Sequence, residues 1–320
     1  MQNLEFYDLN PKASDFCNEV LLGLSKPQKA IPPKFFYDKY GSEIFDQICE
    51  LEEYYPTRTE FALLRTHCKE MAELIGEKCL LIEYGSGSSQ KVRIFLDVLK
   101  EPSAYMPIDI SKEYMLNASE EISKVYPELD IISVCADYTQ KLVIPLYDKK
   151  TVKTKVIFFP GTTIGNLEYS EAVELLNQSA NIVSTGGGML LGVDLKKDPQ
   201  ILHAAYNDSK NITADFNLNL LARINRELDA NFDLSAFSHY AFYNPKKGRI
   251  EMHLVSLKKQ VVSIKGQEFS FQIGESIHTE NSDKFSIDEV QDLAEKCGFQ
   301  LKQVWSDKDN FFSICYLAVV

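Results

Sequence analysis

Several things are scarce in this 320-residue sequence, and each shortage removes a class of function. No apolar run reaches the roughly 20 residues a helix needs to cross a bilayer. The start Met1-Gln2-Asn3-Leu4-Glu5-Phe6 has no basic segment followed by an apolar one, so a cytoplasmic protein without a membrane partner is expected. Basic residues are outnumbered, 34 Lys and Arg against 46 Asp and Glu, for a formal charge of -12. Phosphate backbones are bound by basic faces, so nucleic acid is not expected as a partner. The seven cysteines have no paired spacing, and Cys79, Cys135 and Cys315 lie in apolar runs, as reduced core thiols do. Five dispersed histidines add no ligand pattern, so no metal site is expected. Repeats and low-complexity segments are absent, and the cluster Lys149, Lys150, Lys153, Lys155 reads as a solvated turn.

What is present centres on Leu80-Leu81-Ile82-Glu83-Tyr84-Gly85-Ser86-Gly87-Ser88-Ser89-Gln90-Lys91. It reads as an apolar strand, a glycine turn and the start of a helix continuing through Val92, Phe95 and Leu99. Gly85 and Gly87 allow backbone angles closed to other residues and let a ligand approach the main chain. The helix start directs free N–H groups at that ligand. A dinucleotide fingerprint would carry a third glycine where Gln90 stands. Acids instead mark three successive strand ends: Glu83, Asp109 after Ala104–Ile108, and Asp137 after Ile131–Ala136. This ordered set resembles the S-adenosylmethionine pocket of class I methyltransferases. The resemblance puts Glu83 toward the methionine end, Asp109 on the ribose and Asp137 on the adenine amino group. Loop capping by Glu83 and Asp137 is the competing structural reading, and a nicotinamide dehydrogenase remains open at this point.

In chain order, a short helix is expected over Ala13 to Leu24, followed by the aromatic segment Phe35-Phe36-Tyr37-Asp38-Lys39-Tyr40. Ser42 is the expected N-cap of a helix carrying Ile44, Phe45, Ile48 and Leu51 on one face. Thr57 and Glu60 have capping-box spacing for a helix over Arg58 to Ile75. From Cys79 to Val193 strands near 79–84, 104–109, 131–136, 154–159 and 187–193 alternate with helices near 89–100, 111–125 and 170–180. That rhythm predicts a parallel, doubly wound α/β sheet with ligands at the carboxyl ends of its strands. The loop Pro160-Gly161-Thr162-Thr163-Ile164-Gly165-Asn166 follows the fourth strand, and Asn166 offers both donors and an acceptor. It suits a zwitterionic substrate, or else it stabilises its own loop.

After Asp194 the rhythm breaks into helices over Pro199 to Tyr206 and Ile212 to Leu228. Strands follow over Ser238 to Tyr243, Arg249 to Leu257, Gln260 to Ile264 and Phe269 to Ile273. A stretch this long is not a simple crossover, so 198–284 is expected to be an inserted α+β unit. The expected organisation is a sheet domain of 58–197 and 285–320, with 1–57 and 198–284 forming the second domain. Ser286 and Glu289 form another capping box, opening a helix over 286–297. A hairpin of Phe299 to Trp305 and Phe311 to Val319 supplies an antiparallel last strand.

Seven blocks, in order, resemble the histidine Nα-methyltransferases, which form hercynine in the first step of ergothioneine synthesis. They are Pro33–Asp38, Glu53–Arg58, Glu83–Ser88, Gly161–Asn166, Ile224–Leu228, Ile250–Met252 and Thr279–Ser282, and the likeness covers about residues 30 to 318. Tyr84, where a smaller apolar residue is common, and Asn281 depart from the pattern. The resemblance implies a class I, Rossmann-like methyltransferase with an inserted substrate-binding domain. S-adenosylmethionine would be held by Gly85, Gly87, Lys91, Asp109 and Asp137, with Tyr138 bordering the adenine. The substrate's main chain would be gripped by Asn166 and Tyr206, with Tyr37 and Phe45 near the amine. Its imidazole would lie among Tyr54, Met252, Glu280 and Ser282.

The reaction implied is trimethylation of the α-amine of L-histidine by a monomer. It is an in-line displacement needing a neutral amine, in which Asn166 orients the nitrogen and Tyr37 takes its proton directly or through water. Aromatic neighbours suit the growing ammonium. The alternatives are the same fold acting on another amino acid or small amine, and a non-catalytic adenosylmethionine-binding module.

Overall fold

The computed structural model describes residues 3–9, 16–87 and 89–320. Residues 13–15 of the first expected helix, Ser88 of the glycine turn, and Met1 and Gln2 lie outside the described residues. The chain folds as two compact units. One takes in Arg58–Lys196, Phe285–Val320 and the N-terminal strand; the other runs up to Thr57 and takes in Lys197–Lys284.

The described strands, in chain order, are β1 (Leu4–Asp8), β2 (Lys29–Ala30), β3 (Cys79–Tyr84), β4 (Ala104–Asp109) and β5 (Asp130–Cys135). They continue with β6 (Thr154–Phe159), β7 (Gly188–Asp194), β8 (Phe237–Asn244), β9 (Arg249–Ser256) and β10 (Gln260–Ile264). The last are β11 (Gln267–Phe271), β12 (Ser276–Asp283), β13 (Phe299–Ser306) and β14 (Phe312–Val319). The helices are α1 (Phe16–Leu24), α2 (Lys39–Cys49), α3 (Tyr55–Ile75), α4 (Gln90–Leu96) and α5 (Lys112–Val125). After them come α6 (Tyr169–Val183), α7 (Pro199–Tyr206), α8 (Ile212–Leu228) and α9 (Ile287–Lys296).

The first unit is built on an eight-stranded sheet in the order β1-β5-β4-β3-β6-β7-β14-β13. Its central strands are parallel, while β14 runs antiparallel to both β7 and β13. Every residue of β3 and β7 is buried, as expected where helices cover both faces of a sheet. Along β3 the side chains alternate between two cores. Leu80, Ile82 and Tyr84 join Met106, Ile157 and Leu191 on one face; Cys79 and Leu81 join Leu64, Met71, Phe95 and Phe158 on the other. The order crosses over beside β3, so the turn after β3 and the ends of β4 and β5 form the ligand-binding edge of such a sheet. Leu4–Asp8 differs from the expected assignment of residues 1–57 to the second domain, because β1 pairs in parallel with β5 at the edge of the large sheet.

The second unit carries a four-stranded sheet in the order β2-β12-β9-β8 and a hairpin of β10 and β11. The stretch carrying Glu280 and Ser282 forms β12, whose register shifts between His278 and Glu280. Helix α8 anchors the aromatic segment before α2. Asn219 Nδ2 donates to Asp38 Oδ1 at 3.0 Å, Arg226 donates to Asp38 Oδ2, and Arg223 donates to the Phe35 carbonyl at 2.9 Å. Asp38, not Ser42, is the N-cap of α2, accepting the Gly41 N–H at 2.7 Å. A Cβ at residue 41 would stand 1.8 Å from the Phe36 carbonyl, so only glycine fits there. Helix α3 starts at Tyr55, ahead of the expected Arg58, whereas the Ser286 and Glu289 capping box opens α9 as the spacing predicts. Among the described residues no helix is long and apolar enough to cross a membrane.

Candidate active site

The first group of residues gathers at the carboxyl ends of β3 to β6. Gly85 and Gly87 have φ of +67° and +48°, backbone that strongly favours glycine. The Gly87 N–H donates to Asp109 Oδ2 at 3.2 Å, and the Ser111 N–H donates to Asp109 Oδ1 at 2.8 Å. Burial raises the Asp109 pKa against these bonds; the carboxylate keeps lone pairs free for further donors. Between the two glycines, Ser86 Oγ is buried with no hydrogen-bond partner among the described residues, a polar atom that a bound molecule would satisfy. Tyr138 covers this turn, its hydroxyl 3.5 Å from where a Cβ on Gly85 would be. The ring stacks on Tyr84 with centroids 5.1 Å apart and meets Phe159 edge-on at 5.7 Å. Tyr84 thus fills the wall beneath Tyr138 instead of opening into solvent.

Asp137 Oδ1 accepts the Thr139 N–H at 3.0 Å and the Thr139 hydroxyl at 2.5 Å, a local turn that fixes the carboxylate. Glu83 is buried, and Tyr105 donates a short hydrogen bond to it. Burial pushes its pKa up to about 8 despite that bond and the attraction of Lys91, so it is a protonated acid at neutral pH that ties β3 to β4. Lys91 Nζ lies 2.5 Å from Glu60 Oε2, and Glu60 Oε1 accepts the Gly161 N–H at 2.7 Å. Glu60 therefore serves the site's floor and not the expected capping box. Asn166 ends the 3-10 turn Thr163–Asn166 after β6, half-buried, and its side-chain amide takes no partner among the described residues.

The second group lies in the other unit. An aromatic row runs from Tyr37 to Phe45 at 5.6 Å, Phe45 to Tyr54 at 6.3 Å, and Tyr54 to Tyr206 at 6.3 Å. Phe216 of α8 backs it, 5.7 Å from Tyr37 and 5.9 Å from Phe45. Glu280 stands opposite Met252 across β12 and β9, and Ser282 opposite Ile250, so these side chains share one sheet face. Tyr206 donates to Ser282 Oγ at 2.7 Å, joining the sheet to the aromatic row. Burial pushes Glu280 up to about 7, with Lys284 pulling it down.

Lys284, Glu60, Phe216 and Asp38 are not among the site residues expected from sequence. Lys284 had a signal, since 280, 282 and 284 alternate onto one strand face; Glu60 had none beyond its misleading capping-box spacing. On the other face of β9, Glu251, His253 and His278 bring ligand-type atoms within 4.8 Å of one another, a grouping not anticipated. Arg249 Nε holds Glu251 Oε1 at 2.9 Å and Lys247 Nζ lies 3.5 Å away. The two imidazoles stack at 4.9 Å with 26° between their planes. In-plane lone pairs of stacked rings do not converge on one ion, so the group is an ion-paired, stacked surface of the sheet. Burial and the neighbouring His278 push His253 down to about 4.

A mostly parallel sheet in this order, closed by an antiparallel β14 and carrying a glycine turn with acids at the following strand ends, is the class I S-adenosylmethionine methyltransferase fold. Residues 16–319 match the family described as histidine-specific methyltransferase, SAM-dependent. The chain is 39% identical over 302 residues to the histidine N-alpha-methyltransferase of Mycolicibacterium smegmatis, covering 92% of each chain. It is 37% identical over 306 residues to the histidine N-alpha-methyltransferase of Mycobacterium tuberculosis, covering 94% of each. Ergothioneine biosynthesis protein 1 of Neurospora crassa is 28% identical over 241 residues, 70% of this chain and 27% of that one. The chain belongs to the histidine-specific methyltransferase family, and S-adenosylmethionine is its methyl donor.

Proposed function

We propose that this enzyme trimethylates the α-amino group of L-histidine to hercynine, the reaction class carried by the names of its relatives, as an early step of ergothioneine synthesis. The observation that carries the reading is the polar wall of Glu280 and Ser282 beside Met252 and Tyr206, in a unit whose other lining is aromatic. We further propose a cytoplasmic monomer with no nucleic-acid or membrane partner. The first unit would be the cofactor domain and the second the substrate domain.

The first group fits an adenosyl cofactor. The Asp109 carboxylate has lone pairs for ribose hydroxyls; Asp137 would accept from the adenine amino group, and Tyr138 would border the ring. Gly85 and Gly87 leave the main chain open, and Ser86 Oγ needs a partner. Lys91, paired with Glu60, would hold the turn helix against the cofactor's carboxylate end. When bound, S-adenosylmethionine supplies an electrophilic methyl group on a sulfonium. The protein's part is positioning and proton removal. Asn166 and Tyr206 would grip the amino acid's main chain, and the uncommitted Asn166 amide can accept an N–H and orient the lone pair. Tyr37 would take the amine proton directly or through water. Tyr37, Phe45 and Tyr54 offer ring faces to the ammonium as it gains methyl groups.

Purified protein with S-adenosylmethionine and mixed L-amino acids, followed by mass spectrometry, tests the reading. A gain of three methyl groups on histidine alone is the expected outcome. Methylation of a different amino acid would replace the substrate, and no methylation would remove the activity.

A further inference from the structure

Ser282 is buried, and its hydroxyl oxygen receives two hydrogen bonds from the protein. Lys284 Nζ donates at 2.6 Å and Tyr206 Oη at 2.7 Å. A serine oxygen has two lone pairs and one hydrogen, so both acceptor positions are filled. Its own O–H finds no acceptor among the described residues. The direction of the network starts at Lys284, because an ammonium only donates. Nζ also donates to Tyr206 Oη at 3.1 Å and lies 5.0 Å from the centroid of that ring. Two residues before Ser282, the Glu280 carboxylate takes no hydrogen bond from the described residues.

We propose that Lys284 is a positioning residue for substrate specificity: with Tyr206 it fills the acceptor capacity of Ser282 and leaves Ser282 able only to donate. The wall then offers one donor, Ser282, and one acceptor, Glu280. It is complementary to a neutral imidazole, with one bare nitrogen and one N–H, and to one tautomer of it. An imidazolium presents two N–H groups and meets a donor at Ser282, so it is rejected. This inference rests on the reading that Glu280 and Ser282 face the substrate ring. The charged or titratable groups facing that position are Glu280 on β12, Lys284 just after it, Tyr206 on α7 and Tyr54 ahead of α3; β9 contributes Met252, which carries none.

The test is L-histidine binding to the full chain saturated with S-adenosylhomocysteine, by calorimetry between pH 5.5 and 8. In wild type, affinity should fall more than about tenfold per pH unit once pH drops below roughly 6.5, because the histidine ring takes up a proton there and Glu280, raised to about 7 by burial, does so as well. Lys284→Met frees Ser282 to accept, and the acid-side slope should flatten. Tyr206→Phe frees one lone pair with no change in charge and should flatten it too, whatever it does to affinity at pH 8. Slopes parallel to wild type in both variants would overturn the role of Lys284. Nitrogen NMR of labelled histidine bound to wild type at pH 6 reads the same point without any variant. One protonated and one bare ring nitrogen supports the proposal, and two protonated nitrogens overturns it. Ser282→Ala binding histidine as tightly as wild type at pH 8 would instead show that Ser282 does not face the ring, which sinks the underlying reading.

Discussion

Glu60 Oε2 lies 2.5 Å from Lys91 Nζ, while Oε1 of the same carboxylate accepts the Gly161 N–H at 2.7 Å. One fully buried acid on α3 therefore holds both the helix that follows the glycine turn and the loop that ends in Asn166. The packing is close: a Cβ at Gly192 would stand 3.0 Å from Glu60 Oε1 and 2.6 Å from the Gly161 carbonyl. Removing one partner of a buried charged pair typically costs about 3–5 kcal/mol. Glu60→Ala should lose stability at the lower end of that range, since Lys91 reaches water, and chemical denaturation measures it. Glu60→Gln keeps an acceptor for Gly161 and should lose less. Equal losses in the two variants would mean that the Gly161 bond contributes nothing.

Asp109→Ala should weaken S-adenosylhomocysteine binding by roughly 1.5–3 kcal/mol, about 10- to 150-fold, if both ribose hydroxyls donate to the carboxylate. The unliganded variant should also lose some stability, because the Gly87 and Ser111 N–H groups lose their acceptor, offset in part because burial disfavours the Asp109 charge. Calorimetry and thermal melting separate the two effects. Unchanged affinity would remove Asp109 from the cofactor site.

Asn166→Ala should lower turnover and histidine affinity while the melting temperature and S-adenosylhomocysteine affinity stay near wild type. The reason is that its amide bonds to no described part of the protein. A variant that unfolds, or loses the cofactor product, would make Asn166 a loop residue.

Glu83 predicts a pH effect on stability. Its folded pKa is about 8 against 4.5 for the free side chain, so between those values the folded chain holds a proton the unfolded chain has released. Stability from this group then falls as pH rises from about 5 to 8. Glu83→Gln retains an acceptor for Tyr105 and has no proton to lose. Its melting temperature, relative to wild type, should rise across that interval, and a constant difference from pH 5 to 9 would refute the assignment.

Glu280→Ala should reduce catalytic efficiency on histidine, since a site built to bond a ring nitrogen depends on that bond. Activity on tryptophan should hold or rise, more so with Met252→Val, which enlarges the same face. Competition assays between the two amino acids read this directly. An unchanged preference would place recognition elsewhere.

Local pattern was enough for much of this protein. Alternating apolar runs and amphipathic stretches determine β3 to β7, α5 to α9 and the closing hairpin, because strand and helix periods are properties of neighbouring residues. The glycine turn and the acids after it are equally local, and the seven ordered blocks carried the family. What the sequence misplaced depends on partners far away along the chain. Leu4–Asp8 is a strand only because Ile131–Cys135 lies alongside it. Asp38 caps α2 with Asn219 and Arg226 bonding its carboxylate. Glu60 has the spacing of a capping box, yet Lys91 and Gly161 claim it, because a buried carboxylate goes to the donors that best offset its lost hydration. Lys284 is not among the site residues expected from sequence. Only the folded chain puts its ammonium against Tyr206 and Ser282, where the count of donors and lone pairs decides which way each hydroxyl points.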